Sequence, residues 1–372
     1  AHGRIKGRYE EGLHDIQPES GKNLKLSLDM DLQAYGEKLM QNKLGGIVMI
    51  EPETGEVLCM VSAPTYDPSI LIGRQRGKNY VALQKDPLKP LFNRPLMAQY
   101  PPGSTFKPTQ GLIFLQEGVI TPETQYTCAH GYTFRGGKPA CHGHPSPLNL
   151  VGALATSCNS FFPWGLHDMI DSRKRYPSVQ EAFEVWKNYM VSMGYGYKLG
   201  IDLPGEKILA TPLQICNLAA TVANRGYYIT PHVVKEIQDT PLDTLYSKRH
   251  YTSVDTHYYS YIAEGMRGAV TGTAYGGTCR GAALPDIEVC GKTGTSENPH
   301  GKDHSIFMGF APYQKPKVAI AVFVENAGFG ATYAVPIGKL MLEKYLKGEI
   351  SEANKATEEY IMNAVILPNN AL

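Results

Sequence analysis

The chain predicts an α/β (α+β) fold, on three observations: apolar strand-like runs near both ends, helical periodicity through the middle, and turn-rich spacers between them. Strands at the two ends point to one sheet that combines N- and C-terminal segments, with helices packed against it. Residues 1–23 are polar and irregular and read as the remnant of a preceding domain or linker. Residues 24–350 read as the folded body and 351–372 as a C-terminal tail.

Residues 24–28 alternate as a strand should, and a helix follows with Asp31 as its N-cap. Residues 46–50 and 57–61 are strand runs joined by Glu51-Pro52-Glu53-Thr54-Gly55-Glu56, which makes them a hairpin. Residues 70–100 read as a long surface segment. After the breaker Pro101-Pro102-Gly103, a helix opens at Ser104 and runs into an apolar half. Pro108 fits only near such a start, where its missing N–H has no partner to lose. Residues 212–224 form a second strong helical pattern, 318–324 the best buried strand, and 336–346 a final amphipathic helix.

Bulk properties narrow the function. With 372 residues, one large domain with an appendage or two domains are expected. The 36 basic and 35 acidic residues nearly cancel, which argues against nucleic acid or a polybasic membrane surface. No apolar run reaches membrane-spanning length. The first residue is Ala1 and no signal peptide follows, so the chain reads as a fragment of a longer, membrane-anchored protein.

Three distant peptides carry the chemistry. Ser104-Thr105-Phe106-Lys107 places a hydroxyl and an amine on one helix face, because residues three apart meet there. Ser157-Cys158-Asn159 adds a hydroxyl and an amide, and Lys292-Thr293-Gly294-Thr295 adds a second amine and two hydroxyls around a glycine. A serine needs a neighbouring base to act as a nucleophile. Lys107 serves once burial and a second cation, Lys292, depress its pKa. Ser157 then relays the proton to the leaving amine, while Asn159 fixes Lys107 and holds the substrate amide. Lys292 and Thr295 suit a carboxylate. Thr293 joins them as a substrate contact, and Gly294 lets substrate lie along the strand edge. The backbone N–H groups of Ser104 and Thr295 form the expected oxyanion hole.

The seven cysteines are too few and too uneven for a disulfide framework. Cys59, Cys216 and Cys290 sit in apolar runs and read as small buried residues. Cys128, His130, Cys141, His142 and His144 crowd one loop, and Cys158 adjoins Ser157. That set suits tetrahedral zinc; a Cys128–Cys141 disulfide or free thiols are the alternatives.

These motifs, with residues 45–58, 62–68, 194–206 and 211–214, resemble the transpeptidase domain of class B penicillin-binding proteins over most of residues 22–346. Asn93-Arg94, the Cys/His loop and residues 300–305 are similar to the elongation-type group, penicillin-binding protein 2. The resemblance implies a mostly antiparallel central sheet with helices on both faces, and a helical subdomain carrying the nucleophile. It implies peptidoglycan D,D-transpeptidation through a Ser104 acyl-enzyme, with β-lactams acylating the same serine. Stem peptides, lipid-linked glycan and a SEDS-type glycan polymerase are the implied partners. The implied location is the periplasmic face of the inner membrane. No cofactor is implied for the chemistry. A structural zinc on Cys128, Cys141, His144 and Cys158 is implied, with His142 as the substitute ligand.

Other readings share this machinery: a β-lactam-sensing or binding domain, a D,D-carboxypeptidase, or a serine β-lactamase. The last needs a deacylating base, for which Glu181 and Glu184 fall in range, but Asn188 is spaced wrongly from both. Residues 232–258, polar and Tyr-rich, find no counterpart in the family pattern.

Overall fold

The structure, a computed structural model, describes residues 13, 16, 18–136, 138–171, 173–203 and 210–367. Most of the predicted N-terminal remnant, residues 204–206 of the 194–206 match, and the last five residues of the predicted tail lie outside these. In chain order the elements begin with β1 (Leu24–Leu26), α1 (Met30–Leu39), β2 (Gly45–Ile50) and β3 (Val57–Ala63). Next come α2 (Arg76–Lys85), α3 (Arg94–Met97), α4 (Lys107–Gln116), α5 (Leu150–Ala155), α6 (Phe161–Leu166), α7 (Val179–Ser192) and α8 (Pro212–Ala223). The last third holds β4 (Tyr227–Ile229), β5 (Val234–Ile237), β6 (Arg249–Tyr251) and α9 (Tyr259–Thr271). It ends with β7 (Cys290–Ser296), β8 (His304–Ala311), β9 (Val318–Val324), α10 (Ala334–Lys347) and α11 (Glu352–Asn363).

Five strands form one antiparallel sheet in the order β3-β2-β9-β8-β7, so the C-terminal β9 lies between the N-terminal hairpin and β8. All residues of β2 and β9 are buried, because both faces of the sheet are covered. Val48, Ile50, Ala319, Ala321 and Phe323 face a core shared with α8 and the helical region. Ile47, Met49, Ile320 and Val322 face a second core shared with α1 and α10. A strand buried on both sides reads as a continuous apolar run, which is why these strands were legible. The predicted sheet of N- and C-terminal strands with helices on both faces is what forms.

Phe307 of β8 shows how tightly the second core fits. A Cβ at Gly338 of α10 would lie 2.4 Å from the Phe307 ring, so the helix rides directly on it. Phe307→Ala leaves a cavity that this close-packed neighbour cannot fill, and is expected to cost about 3–5 kcal/mol. A fall in the denaturant midpoint at unchanged m-value is the measurement.

Several local expectations change. The N-cap of α1 is Asp29, whose side chain accepts the Leu32 N–H at 2.9 Å, and Asp31 falls within the first turn. Residues 70–100 are not simply surface chain: α2 spans Arg76–Lys85, though it buries no residue and so has no apolar periodicity to reveal it. The stretch 232–258 supplies β5 and β6, which pair with β1 and β4 in two small side sheets. Residues 352–363 of the predicted tail form α11, anchored by buried Ile361 and by Asn354, whose amide donates to buried Glu343 at 2.7 Å.

Candidate active site

A 3-10 turn, Gly103–Phe106, precedes α4 and holds Ser104, so the helix expected to open at Ser104 starts as this turn and becomes α-helical at Lys107. Its carbonyl accepts the Lys107 N–H, so the Ser104 hydroxyl and the Lys107 amine are carried by one turn. The turn rests on edge strand β7. Gly103 has φ +54°, and a Cβ there would stand 2.5 Å from the Thr295 carbonyl oxygen, which leaves room only for glycine. The missing side chain of Gly294 faces Thr105 Cγ2 and the Pro102 carbonyl rather than the cleft. What glycine permits there is close seating of the Gly103–Phe106 turn on β7.

Helix α5 ends at Thr156, and Ser157 follows in a left-handed conformation, φ +56°. That strained turn aims both Ser157 oxygens at the lysines. Lys107 Nζ donates to Ser157 O at 2.6 Å, to Asn159 Oδ1 at 2.6 Å and to Ser157 Oγ at 3.2 Å. Lys292 Nζ donates to Ser157 Oγ at 2.7 Å and to the Thr293 carbonyl at 3.1 Å. The Ser157 hydroxyl therefore accepts from two amines, and with both lone pairs occupied its own proton is free to be given away.

Both lysines are buried. Burial, and then the neighbouring Lys292 cation, holds the Lys107 ammonium well below its ordinary range. Burial brings Lys292 down to about 8. Among the described residues neither has a carboxylate partner, and the neighbouring thiols (Cys158 and Cys141 at Lys107, Cys279 at Lys292) offset only part of the desolvation, so the neutral amine gains.

Ser104, Ser157, Asn159, Thr293 and Thr295 line one cavity of about 470 Å³. An adjoining hollow of about 440 Å³ shares Ser104, Asn159, Thr295 and Glu297 and is walled by Phe106, Phe162, Pro163 and Leu166. Ser104 thus sits where the two chambers meet, the second of them carrying an aromatic and aliphatic wall. Thr278, His142 and Phe329 also line the first chamber and were not anticipated there. Phe329, between two glycines, offered a faint signal; Thr278 offered none. Glu181 and Glu184 lie on α7, outside the described lining of either chamber, and Glu184 pairs with Lys187 at 2.8 Å.

Beside the Ser157 loop, Cys128, Cys141, His144 and Cys158 bring their ligand atoms within 4.8 Å of one another. The chemistry of this set fits zinc. All seven cysteines are free thiols. His144 Nδ1 faces the Pro145 carbonyl at 2.8 Å, so that nitrogen carries the proton and Nε2, 3.1 Å from Cys141 Sγ, keeps its lone pair. The Asn159 N–H points at Cys141 Sγ, and the N–H groups of Ser160 and Phe161 at Cys158 Sγ, contacts that would support the sulfurs as metal-bound thiolates. Cys141 is held well below its ordinary value, first by its hydrogen bond with Cys158, and the same bond, with burial, pushes the Cys158 thiol up, so the two sulfurs keep one proton between them until a cation displaces it. His142, the alternative ligand, faces the catalytic chamber instead. The cluster also touches the chemistry: Asn159 Nδ2 donates to Ala140 O at 2.8 Å, next to Cys141.

Comparison with known proteins places this geometry in context. The family "Penicillin binding protein transpeptidase domain" matches residues 45–343. The peptidoglycan D,D-transpeptidase MrdA of Acinetobacter baumannii is 29% identical over 94% of this chain, yet the chain spans only 58% of that relative's length. The peptidoglycan D,D-transpeptidase PbpA of Mycolicibacterium smegmatis is 32% identical, covering 92% of this chain and 76% of its own. Among solved structures, PBP2 of Pseudomonas aeruginosa in complex with WCK 5153 superposes with a TM-score of 0.77 at 28% identity, over 91% of this chain and 80% of that one. The ceftriaxone acyl-enzyme of penicillin-binding protein A from M. tuberculosis gives 0.71 at 26% identity, over 88% and 81%. A chain from a peptidoglycan synthase complex that coordinates polymerization and crosslinking gives 0.74 at 27%, over 90% and 64%.

Proposed function

The chain belongs to the penicillin-binding protein transpeptidase family, and from that premise we propose that it is a peptidoglycan D,D-transpeptidase of the elongation type, acting through a Ser104 acyl-enzyme. The observation that carries the reading is the Ser157 hydroxyl held between two buried amines, on the wall of the cavity that Ser104 shares. Neutral Lys107 takes the Ser104 proton as Oγ bonds to the penultimate D-Ala carbonyl carbon. The resulting oxyanion lies against the N–H groups of Ser104 and Thr295. As the C–N bond breaks, the Ser157 proton goes to the departing D-Ala nitrogen, and Lys107 returns a proton to Ser157. Lys292, Thr293 and Thr295 hold the D-Ala carboxylate. An amine from a second stem peptide then attacks the ester by the reverse path.

The terminal carboxylate occupies the chamber of Thr293 and Thr295, so the acyl side of the donor extends into the one walled by Phe106 and Phe162. β-Lactams acylate Ser104 in this reading, which the similarity to a ceftriaxone acyl-enzyme complex supports. A glycan polymerase is the proposed partner, supported by the similarity to the synthase-complex chain. Stem peptides lie on the periplasmic face of the inner membrane, and the same reading places the cleft there. No helix among the described residues is long and apolar enough to cross a membrane. The test is D-alanine release from a D-Ala-D-Ala pentapeptide, coupled to capture of an added D-amino acid. Release with capture supports transpeptidation, release to water alone indicates a carboxypeptidase, and no release overturns the reading.

Zinc on Cys128, Cys141, His144 and Cys158 would cross-link the 128–144 loop to the Ser157 loop and brace Asn159, supplying no step of the reaction. Purified protein is expected to carry one zinc per chain. Zinc present at a hundred times its dissociation constant stabilises the fold by about 2.7 kcal/mol. Chelation should therefore lower Tm by about 3–4 °C in a chain of this length, and a zinc-free preparation with unchanged Tm refutes the site.

A further inference from the structure

We propose that Thr278 is a carboxylate-binding residue, donating a further hydroxyl hydrogen bond to the terminal carboxylate of the donor peptide and to that of β-lactams. The inference rests on the transpeptidase reading and extends the anion contacts beyond the motif residues. Thr278 follows α9 in a loop and reaches the catalytic chamber only through the fold, lining it beside Ser157, Thr293 and Thr295. Its hydroxyl accepts from Thr293 Oγ1 at 3.1 Å and donates to the Ala155 carbonyl at 3.4 Å.

That second bond is long, and Ala155 O also receives the Thr278 N–H at 3.1 Å. Giving up the hydroxyl bond therefore orphans no carbonyl, so the Thr278 proton can turn to an incoming anion at little cost. The same arrival frees the Thr293 proton, which ceases to point at Thr278 and also turns to the carboxylate. Two hydroxyls that bond each other in the empty cleft become two donors in the filled one. Such donors matter here because Glu297 and Asp303 also line the chamber, and their charge opposes a carboxylate. The Lys292 ammonium lies behind the wall, on Ser157 Oγ and the Thr293 carbonyl, and among the described residues no lysine or arginine lines the chamber itself.

The test compares acylation of the protein by a penicillin and by the methyl ester of that penicillin, in Thr278→Val and Thr278→Ser. Thr278→Val keeps the branched shape and removes the hydroxyl. It is expected to slow acylation by the free acid about tenfold, as loss of one charge-assisted hydrogen bond does, and by the ester less than about twofold. Thr278→Ser, which keeps the hydroxyl, is expected to preserve the acid-to-ester ratio. Because the readout is a ratio, it is insensitive to partial misfolding, and Thr278→Ala serves if the valine variant does not accumulate. Equal losses on acid and ester, or no loss on either, overturn the proposal. If the unsubstituted protein forms no adduct with either compound, the acyl-transfer reading fails, and this inference with it.

Discussion

Ser104→Ala is expected to abolish acylation by a labelled penicillin, with intact mass showing one stable adduct per unsubstituted chain and none on the variant. The loss should be at least about 10⁴-fold, because removing a covalent nucleophile leaves only binding and the oxyanion donors to act. The fold should survive, since Ser104 makes no side-chain cap to its helix and lies on a cavity wall rather than in the core. A thermal midpoint close to that of the unsubstituted chain separates lost chemistry from lost structure. An adduct that persists on the alanine variant would place the nucleophile elsewhere and dismantle the assignment.

Lys107→Met should slow acylation by about 10²–10⁴-fold, the usual contribution of a general base, and again leave the protein folded. Methionine fills similar volume, and removing a buried cation with no carboxylate partner relieves a desolvation penalty. The pH dependence supplies a second check. Lys107 acts only when neutral, so protonating it lowers the rate on the acid side. Burial and Lys292 have moved that limb down from the ordinary lysine range. Lys292 binds a carboxylate only when charged, so the rate should fall again as pH rises through about 8. The profile is therefore a bell with its alkaline limb near pH 8. In Lys292→Arg, whose charge does not titrate there, that limb should shift to higher pH. An unchanged alkaline limb would assign it to another group.

Legibility followed the range of the interactions involved. The three motifs could be read because acyl transfer demands particular residue types at helical or strand spacing, and Ser104, Lys107, Ser157, Asn159, Lys292, Thr293 and Thr295 do converge. The strands of the sheet could be read because burial on both faces leaves an unbroken apolar run. Helix α2 could not, because Arg76–Lys85 buries nothing and so carries no pattern. Asp29 and Asp31 are equivalent as residue types, and only the backbone at Asp29, with its Leu32 bond, selects the cap. His144 and His142 were equally hard to separate. The bond from His144 to Pro145 turns one ring toward the cysteines, while the other lines the cleft. Thr278 had no local signature at all, since its partners Ala155 and Thr293 are distant in the chain.

The position of β9 between β2 and β8 has a consequence for biogenesis. As the chain leaves the ribosome, the N-terminal hairpin emerges with an open edge that only residues 318–324 can close. Every motif that performs the chemistry has been synthesised before that strand appears. The nucleophile, both amines and the relay hydroxyl therefore exist as a polypeptide well before they exist as a cleft. Long-range pairing of this kind is slow to form, which leaves the nascent hairpin edge in need of shielding until β9 has been made.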